Sequence, residues 1–460
     1  MRKTKIIATL GPASCSYKII KSLVKTGVNV FRLNFSHGTY KSFTKIISSI
    51  KRARKVLSRP VAIMQDLQGP KIRISAPAVP FTVKRGDELI ISEKPVKKRK
   101  WVSVDVDELY KYVKPKNIIM INDGLIQLRV RKIERKKERI ICYVAAGGEI
   151  TARKGVNLPG IILPFNAVTK KDEKDLRFGL KNGVDIVSLS FVRSADDIKH
   201  LKNFYKKKKN PPLIIAKIEK PEAVKDIKSI LDISDGIMIA RGDLAVEAGY
   251  KPIPYIQKNL IKISNSKSKI VIVATQMLES MINSPFPQRA EITDIYNAVL
   301  DGADTLMLSG ETSIGKYPVK TVRVMSDIIN KAEKNLPDSN GNKHRLCGSD
   351  TYSGALAVAA TAAASCLNRC VIAVAVNSIG DISSISDYRP HGPVAAVVKE
   401  EGLFHKLSIL NGIYPVLTEL KDTAAAAAVS KIFRKTTAVI YADFHKNNTE
   451  QGKIVIHKMD

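Results

Sequence analysis

Short runs dense in Ile, Val and Leu recur through the first two thirds of the chain. Each closes on polar or Gly residues and is followed by a longer amphipathic stretch. The runs are Lys5–Thr9, Val28–Asn34, Val61–Asp66, Val184–Phe191, Leu213–Glu219, Gly236–Asp243, Ile270–Gln276 and Thr305–Glu311. A short continuous apolar run reads as a strand buried on both faces of a parallel sheet. The stretches between them read as helices. Ile19-Ile20 with Leu23-Val24, and Ile295-Tyr296 with Val299-Leu300, keep one apolar face at i, i+3, i+4 spacing. Eight strand–helix units predict a closed (β/α)8 (TIM) barrel rather than an open sheet.

The third unit is interrupted. After Asp66-Leu67-Gln68-Gly69-Pro70 the pattern turns β-like. Ile118–Ile121 and Leu125–Val130 flank Asn122-Asp123-Gly124, a tight-turn signal, and Ile140–Val144 continues the pattern. Residues 70–163 are therefore expected to form an inserted β-rich lid domain, which divides the barrel domain into 1–69 and 164–334. A polar stretch from Lys334 to Leu346 reads as a linker. Residues 335–460 are then expected to form a C-terminal α/β domain, with strands at Cys370–Val376, Val394–Val398 and Ala438–Tyr441 and two Ala-rich helices.

Composition narrows the function classes. The weakly polar stretch Gly354–Leu367 is mostly Ala and shorter than the ~20 apolar residues of a membrane span. The opening Met1-Arg2-Lys3-Thr4-Lys5 leads into no signal-peptide core, so a cytoplasmic protein with no membrane contact is expected. The five cysteines include no C-x-x-C pair, which argues against a disulfide framework or a zinc site. A net charge of +33 raises nucleic-acid binding as a rival reading. The basic runs Lys97–Lys100, Arg135–Lys137 and Lys206–Lys209 sit at predicted turns or helix ends and lack interleaved aromatics, so no specific nucleic-acid partner is expected.

Reactive groups of barrel enzymes sit at the C-terminal ends of the strands. Here those ends collect Arg32 and Asn34, Asp66, Ser188 and Ser190, Lys217 and Glu219, Asp243, Thr275, and Glu311. One such residue is usually a solvated strand end, and only the clustering carries a signal. Glu219 and Asp243, from adjacent strands, suit a hard divalent ion that binds one or two carboxylates plus phosphate. Lys217 lies two residues from Glu219 and shares its face. Arg32, Arg73 and Lys154 add positive charge, and the set suggests a multiply anionic, phosphorylated substrate. Gly310–Lys316 fits G-x-x-x-x-G-K, but Tyr317 stands where a phosphate-binding loop needs a hydroxyl, so it is not read as one.

Long segments match one family in order. Thr4–Ser14, Arg32–Gly38, Lys154–Gly160, Lys217-Ile218-Glu219, Asp235–Leu244, Ala274–Met281 and Asn297–Asp304, running on to Leu308–Thr312, resemble those of pyruvate kinases over residues 1 to 335. The resemblance implies transfer of a phosphoryl group from phosphoenolpyruvate to ADP, giving pyruvate and ATP. Glu219 and Asp243 would hold Mg²⁺ (or Mn²⁺). Lys217, Arg32 and Thr275 would be catalytic, and Gly242 and Asp243 would join them in binding the substrate. Thr9, Pro12, Asn34, His37, Arg73, Lys154 and Asn157 resemble the nucleotide side, and Asp123 a residue of the lid. Lys71 stands where potassium-requiring members carry Glu, so K⁺ is not expected to be required and the Lys71 ammonium would substitute for it. The effector loop of regulated members is replaced by Val376–Asp381, which puts regulation by a sugar phosphate in doubt. The family is usually a homotetramer. A metal-dependent phosphoenolpyruvate/aldolase-type barrel lyase is the alternative; it would need neither ADP nor the lid.

Overall fold

The computed structural model describes residues 1–76, 79–205, 208, 210–336, 352–390, 392–433, 436–443 and 453–459. Eight parallel strands close into a barrel: β1 (Lys5–Thr9), β2 (Val30–Asn34), β3 (Ala62–Asp66), β4 (Ile186–Leu189), β5 (Leu213–Ile218), β6 (Gly236–Ala240), β7 (Ile270–Ala274) and β8 (Thr305–Leu308). The expected barrel fold is thus present. Its strands lie in chain order around the ring, and β1 pairs with β8 to close it.

Alternate side chains of each strand point in opposite directions. Ile7, Val30, Met64, Ile215, Met238 and Ile272 fill the inside, while Ile6, Phe31, Ile63, Ile214, Ile239 and Val271 meet the outer helices. The apolar runs overstate the strands at their C-terminal ends. Beyond β6 the chain turns directly into the helix Arg241–Ala248, and beyond β7 it enters a bend with Thr275 at φ 72° and Gln276 at φ 53°. The polar ends of the runs are loop and helix starts at the barrel mouth.

Between β3 and the helix Lys170–Asn182 lies an antiparallel-rich sheet of seven strands, with an added two-stranded ribbon. Its central hairpin pairs Ile118–Ile121 with Ile126–Glu134. Asn122, Asp123 and Gly124 all take positive φ there, and Leu125 belongs to the turn, 70% exposed, rather than to the second strand. The apolar faces of this sheet form a core of their own around Leu89, Val102, Leu128 and Val144.

The C-terminal segment forms a second open sheet of β9 (Cys370–Ala375), β10 (Val394–Val398), β11 (Ile413–Leu417), β12 (Ala438–Asp443) and β13 (Lys453–Lys458), in the order β11-β10-β9-β12-β13. Two of these strands, β11 and β13, have no counterpart in the sequence reading. Most of the predicted linker, and all of the basic run 206–209 except Lys208, fall outside the described residues.

This sheet's domain closes the N-terminal end of the barrel. Lys5 Nζ donates to Ile413 O (2.7 Å), and Thr305 Oγ1 to Ile409 O (2.8 Å). Leu407, Ile409 and Leu410 continue the barrel's inner core. The opposite, C-terminal mouth lies beside the inserted sheet, which Asn157 joins to Glu247. Among the described residues no helix is long and apolar enough to cross a membrane.

Candidate active site

The mouth is organised by a buried carboxylate at the end of β3. Asp66 Oδ2 accepts from Arg32 Nε (2.8 Å) and Nη2 (2.5 Å), while Oδ1 accepts from Ser188 Oγ (2.9 Å) and lies 3.4 Å from Lys217 Nζ. Burial alone would push the Asp66 carboxyl up; Lys217 and Arg32 outweigh it and hold the group below the usual carboxylate range. Asp66 thereby fixes two cations on β2 and β5 relative to each other. Thr9 completes the clamp: its hydroxyl accepts from Arg32 Nη1 (3.0 Å) and donates to Leu308 O (2.8 Å).

Lys217 continues the chain of charge. Its ammonium donates to Ser190 Oγ (2.8 Å) and pairs with Glu219 Oε1 (2.8 Å). Burial favours the neutral amine, but Asp66 and Glu219 more than offset it, so the group stays charged above the ordinary lysine value. Glu219 is almost wholly buried, and its Oε2 accepts from Phe191 N–H (2.7 Å). Phe191 supplies that donor from a strained backbone, at φ 54°. Burial pushes the Glu219 carboxyl up; Lys217 opposes the shift and nearby Asp243 adds to it.

Three carboxylates, Asp66, Glu219 and Asp243, thus face two cations, Arg32 and Lys217. All the carboxylate donors are hard oxygens. Buried Glu219 and half-buried Asp243 offer two hard carboxylates to a divalent ion; no third His, Cys or carboxylate joins them among the described residues, so its other ligands would be water or substrate oxygens.

The β6 and β7 ends supply the other wall. Gly242 N–H donates to Thr275 Oγ1 (2.9 Å), and that hydroxyl donates to Ala274 O (2.6 Å). A β-branched residue in the left-handed region is costly. It is held here by Arg241, whose guanidinium donates to Ala274 O (3.2 Å) and Thr275 O (2.6 Å) and is itself gripped by Asp294 (2.6 and 2.7 Å). A Cβ on Gly242 would meet nothing nearer than Thr275 at 3.7 Å, so the small residue keeps open space rather than relieving a backbone clash.

Other candidates gather around His37. Burial and then Arg73, Lys71 and Arg32 push its imidazole below the ordinary value. Asn34 Oδ1 caps Ser36 N–H (3.1 Å), and His37 N–H donates to Asn34 O (3.2 Å). Pro12 is exposed in the loop after β1. Arg73 bridges to Gly155, and Ile74 N–H donates to the carbonyl of half-buried Lys154 (2.9 Å). Lys71 Nζ and Asp123 Oδ1 lie 3.9 and 4.0 Å from where a Cβ on Gly155 would sit. Asn157 reaches across the seam, its Nδ2 donating to Glu247 Oε1 (3.0 Å). A cavity of about 280 Å³ runs along this seam between Lys71, Asn157, Phe191 and Glu247.

Glu311, in the segment that resembled a phosphate loop, is fully buried and accepts from Leu278 N–H (3.0 Å) and Ser309 N–H (2.7 Å). Its carboxylate fills the place an anion would take. In the C-terminal domain Asp381 does something similar, accepting from Asn377 N–H (2.8 Å), Ser378 N–H (2.9 Å) and Ser378 Oγ (2.7 Å).

Sequence reasoning left Asp66, Ser190, Phe191 and Arg241 out of the site set. Asp66 and Ser190 do close strand runs, but nothing in one sequence tells which neighbouring strand each partners. The Phe191 contribution is a backbone N–H and leaves no side-chain signal.

The family model described as pyruvate kinase, barrel domain, matches residues 1–322. Pyruvate kinase 2 of Synechocystis sp. is 39% identical over 421 residues, covering 90% of this chain and 71% of its own. Pyruvate kinase of Staphylococcus aureus (strain MRSA252) is 38% identical over 440 residues, covering 93% and 75%. The enzyme of strain USA300 is equally similar.

Proposed function

Since this chain belongs to the pyruvate kinase family and is therefore a phosphotransferase, we propose that its barrel mouth moves the phosphoryl group of phosphoenolpyruvate to ADP, releasing pyruvate and ATP. The supporting observation is the buried chain Arg32–Asp66–Lys217–Glu219, which fixes two cations at the mouth. Phosphoryl transfer needs mainly positioning and neutralisation of spread negative charge. Arg32, clamped by Asp66 and Thr9, and Lys217, clamped by Asp66 and Glu219, would grip the transferring group without reorganising. Glu219 and Asp243 would hold Mg²⁺ or Mn²⁺; when bound, the ion supplies Lewis acidity toward the phosphoryl and enol oxygens. The N–H groups that open the helix at Gly242 and Asp243 would receive the substrate carboxylate. Lys217 would stabilise the enolate that remains, and the Thr275 hydroxyl would pass a proton to its carbon.

His37, Arg73, Lys154 and Asn34 would serve the nucleotide side with Thr9, Pro12 and Asn157. Residues 70–163 would act as a lid that brings Asp123 inward on closure. Lys71 would supply the positive charge that a bound K⁺ gives elsewhere, so K⁺ would not be required. The Asp381 carboxylate on the loop N–H groups supports loss of activation by a sugar phosphate. A cytoplasmic homotetramer completes the reading.

The test is release of pyruvate from phosphoenolpyruvate with and without ADP, in sodium-free and potassium-free buffer. Strictly ADP-dependent release is expected, and Lys217→Met should reduce it at least ~10³-fold. Release without ADP would support the lyase instead. A many-fold rise on adding KCl at constant ionic strength would overturn the role given to Lys71.

A further inference from the structure

The helix Arg241–Ala248 carries two carboxylates four residues apart, so both lie on one side of it. Asp243, in the first turn, faces Lys217 and Glu219. Glu247, one turn on, is used twice although its side chain is only 2% exposed. Its Oε1 accepts from Asn157 Nδ2 (3.0 Å), and its Oε2 pairs with Lys220 Nζ (3.1 Å). Asn157 lies on the strand Val156–Asn157, which joins the inserted sheet beside Ile118–Ile121. Lys220 directly follows Glu219. The same helix meets the insertion again, because a Cβ on Gly124 at the hairpin tip would lie 3.9 Å from both γ-carbons of Val246.

We propose that Glu247 is a positioning residue: it latches the inserted sheet onto the helix that presents Asp243, and through Lys220 ties that helix to the segment that presents Glu219. One carboxylate thus joins the lid to both acidic segments of the mouth. The return end of the insertion is fastened separately, where Arg193 donates to Leu163 O (2.9 Å) and Phe165 O (2.5 Å). Breaking the Glu247 contact removes the polar fastening of the mouth side, leaving the Gly124–Val246 approach there, while the return end holds. Water re-solvates the carboxylate and the amide when they part, so the latch is reversible. Its role at the mouth rests on the phosphotransferase reading above; its existence does not.

The experiment is amide hydrogen exchange on the full chain without substrates, beside steady-state kinetics. In Asn157→Ala and Glu247→Ala, exchange in 118–134 and 150–158 should rise roughly tenfold or more, the weight of a hydrogen bond to a charged acceptor, while the barrel strands stay unchanged. The KM for phosphoenolpyruvate should rise by more than kcat falls, because a smaller closed fraction lowers apparent affinity. Glu247→Gln keeps an acceptor oxygen for Asn157 and should recover part of the protection. Should Glu247→Ala fail to fold because Lys220 is left unpaired, Asn157→Ala decides alone. Unchanged exchange at the seam, or an equal rise in the barrel strands, would overturn the latch. Altered seam exchange in a protein that forms no pyruvate would leave the latch standing and refute the phosphotransferase reading.

Discussion

A lysine ammonium buried at the end of a barrel strand stays charged only if its neighbours outweigh the loss of water, and at Lys217 they do. Asp66 is the residue on which this depends. Asp66→Asn should lower kcat/KM by about 10²-fold or more, because Arg32 loses its carboxylate partner and Lys217 one of its two. It should also destabilise the fold by ~3–5 kcal/mol in urea titrations, the cost of leaving buried charge unpaired.

Lys5 is the contrasting case. It is buried at the other end of the barrel, and burial, reinforced by Arg2 and opposed by Glu333, pushes its ammonium down to about 7. The unfolded chain therefore binds more protons than the folded one between about pH 7 and 10.5, and stability due to this group rises with pH across that window. Lys5→Met should flatten the rise, by at most ~1.4 kcal/mol per pH unit. An unchanged slope would show that Lys5 is not the titrating group. Lys217 and Glu219 were legible in the sequence because a spacing of two at a strand end turns both to one side, although β5 itself ends at Ile218. Asp66 was visible as a strand end but not as a hub, since cross-strand pairing is a property of the closed ring.

At the scale of elements, sequence and structure part at strand ends and sheet edges. The apolar runs continue into Arg241-Gly242-Asp243 and Thr275-Gln276, yet the ladders stop at Ala240 and Ala274. Ladder geometry ends where the backbone turns to serve the mouth, and left-handed φ at Thr275 is not written in a residue that normally avoids it. The missed strands are edges. β11 contains Pro415, and β13 has polar residues at both ends and no fully buried position, as strands with one unpaired side tend to.

Close approach of backbones marks the interior instead. A Cβ on Gly236 would lie 2.4 Å from Ile270 O across the β6–β7 pair. Gly236→Ala should destabilise the protein by about 1–3 kcal/mol, as overpacking does. Gly242→Ala should leave stability nearly unchanged and raise the KM for phosphoenolpyruvate, since its methyl would project toward Thr275 at the mouth. Urea midpoints and saturation curves on the two variants separate a structural glycine from one that keeps space.

The whole molecule puts its ends to different uses. The C-terminal domain plugs the N-terminal end of the barrel through Leu407, Ile409 and Lys5, so only the mouth beneath the inserted sheet stays open among the described residues, where the proposed substrates would bind. The barrel and the β-rich insertion were legible because their hydrophobic periods differ. The seating of the last domain was not, because it depends on strand starts that look apolar in any barrel. With Asp381 filling its own loop, phosphoenolpyruvate saturation should be unaffected by sugar phosphates or AMP. A large leftward shift would reverse that expectation.

We propose that the mouth gathers anions around a divalent ion held by Glu219 and Asp243. Crystals grown with Mn²⁺ and oxalate, examined by anomalous diffraction, test it directly. The predicted result is a single strong peak between those two carboxylates, with oxalate beside Lys217; a peak at any other carboxylates, with this pair left bare, would contradict the account.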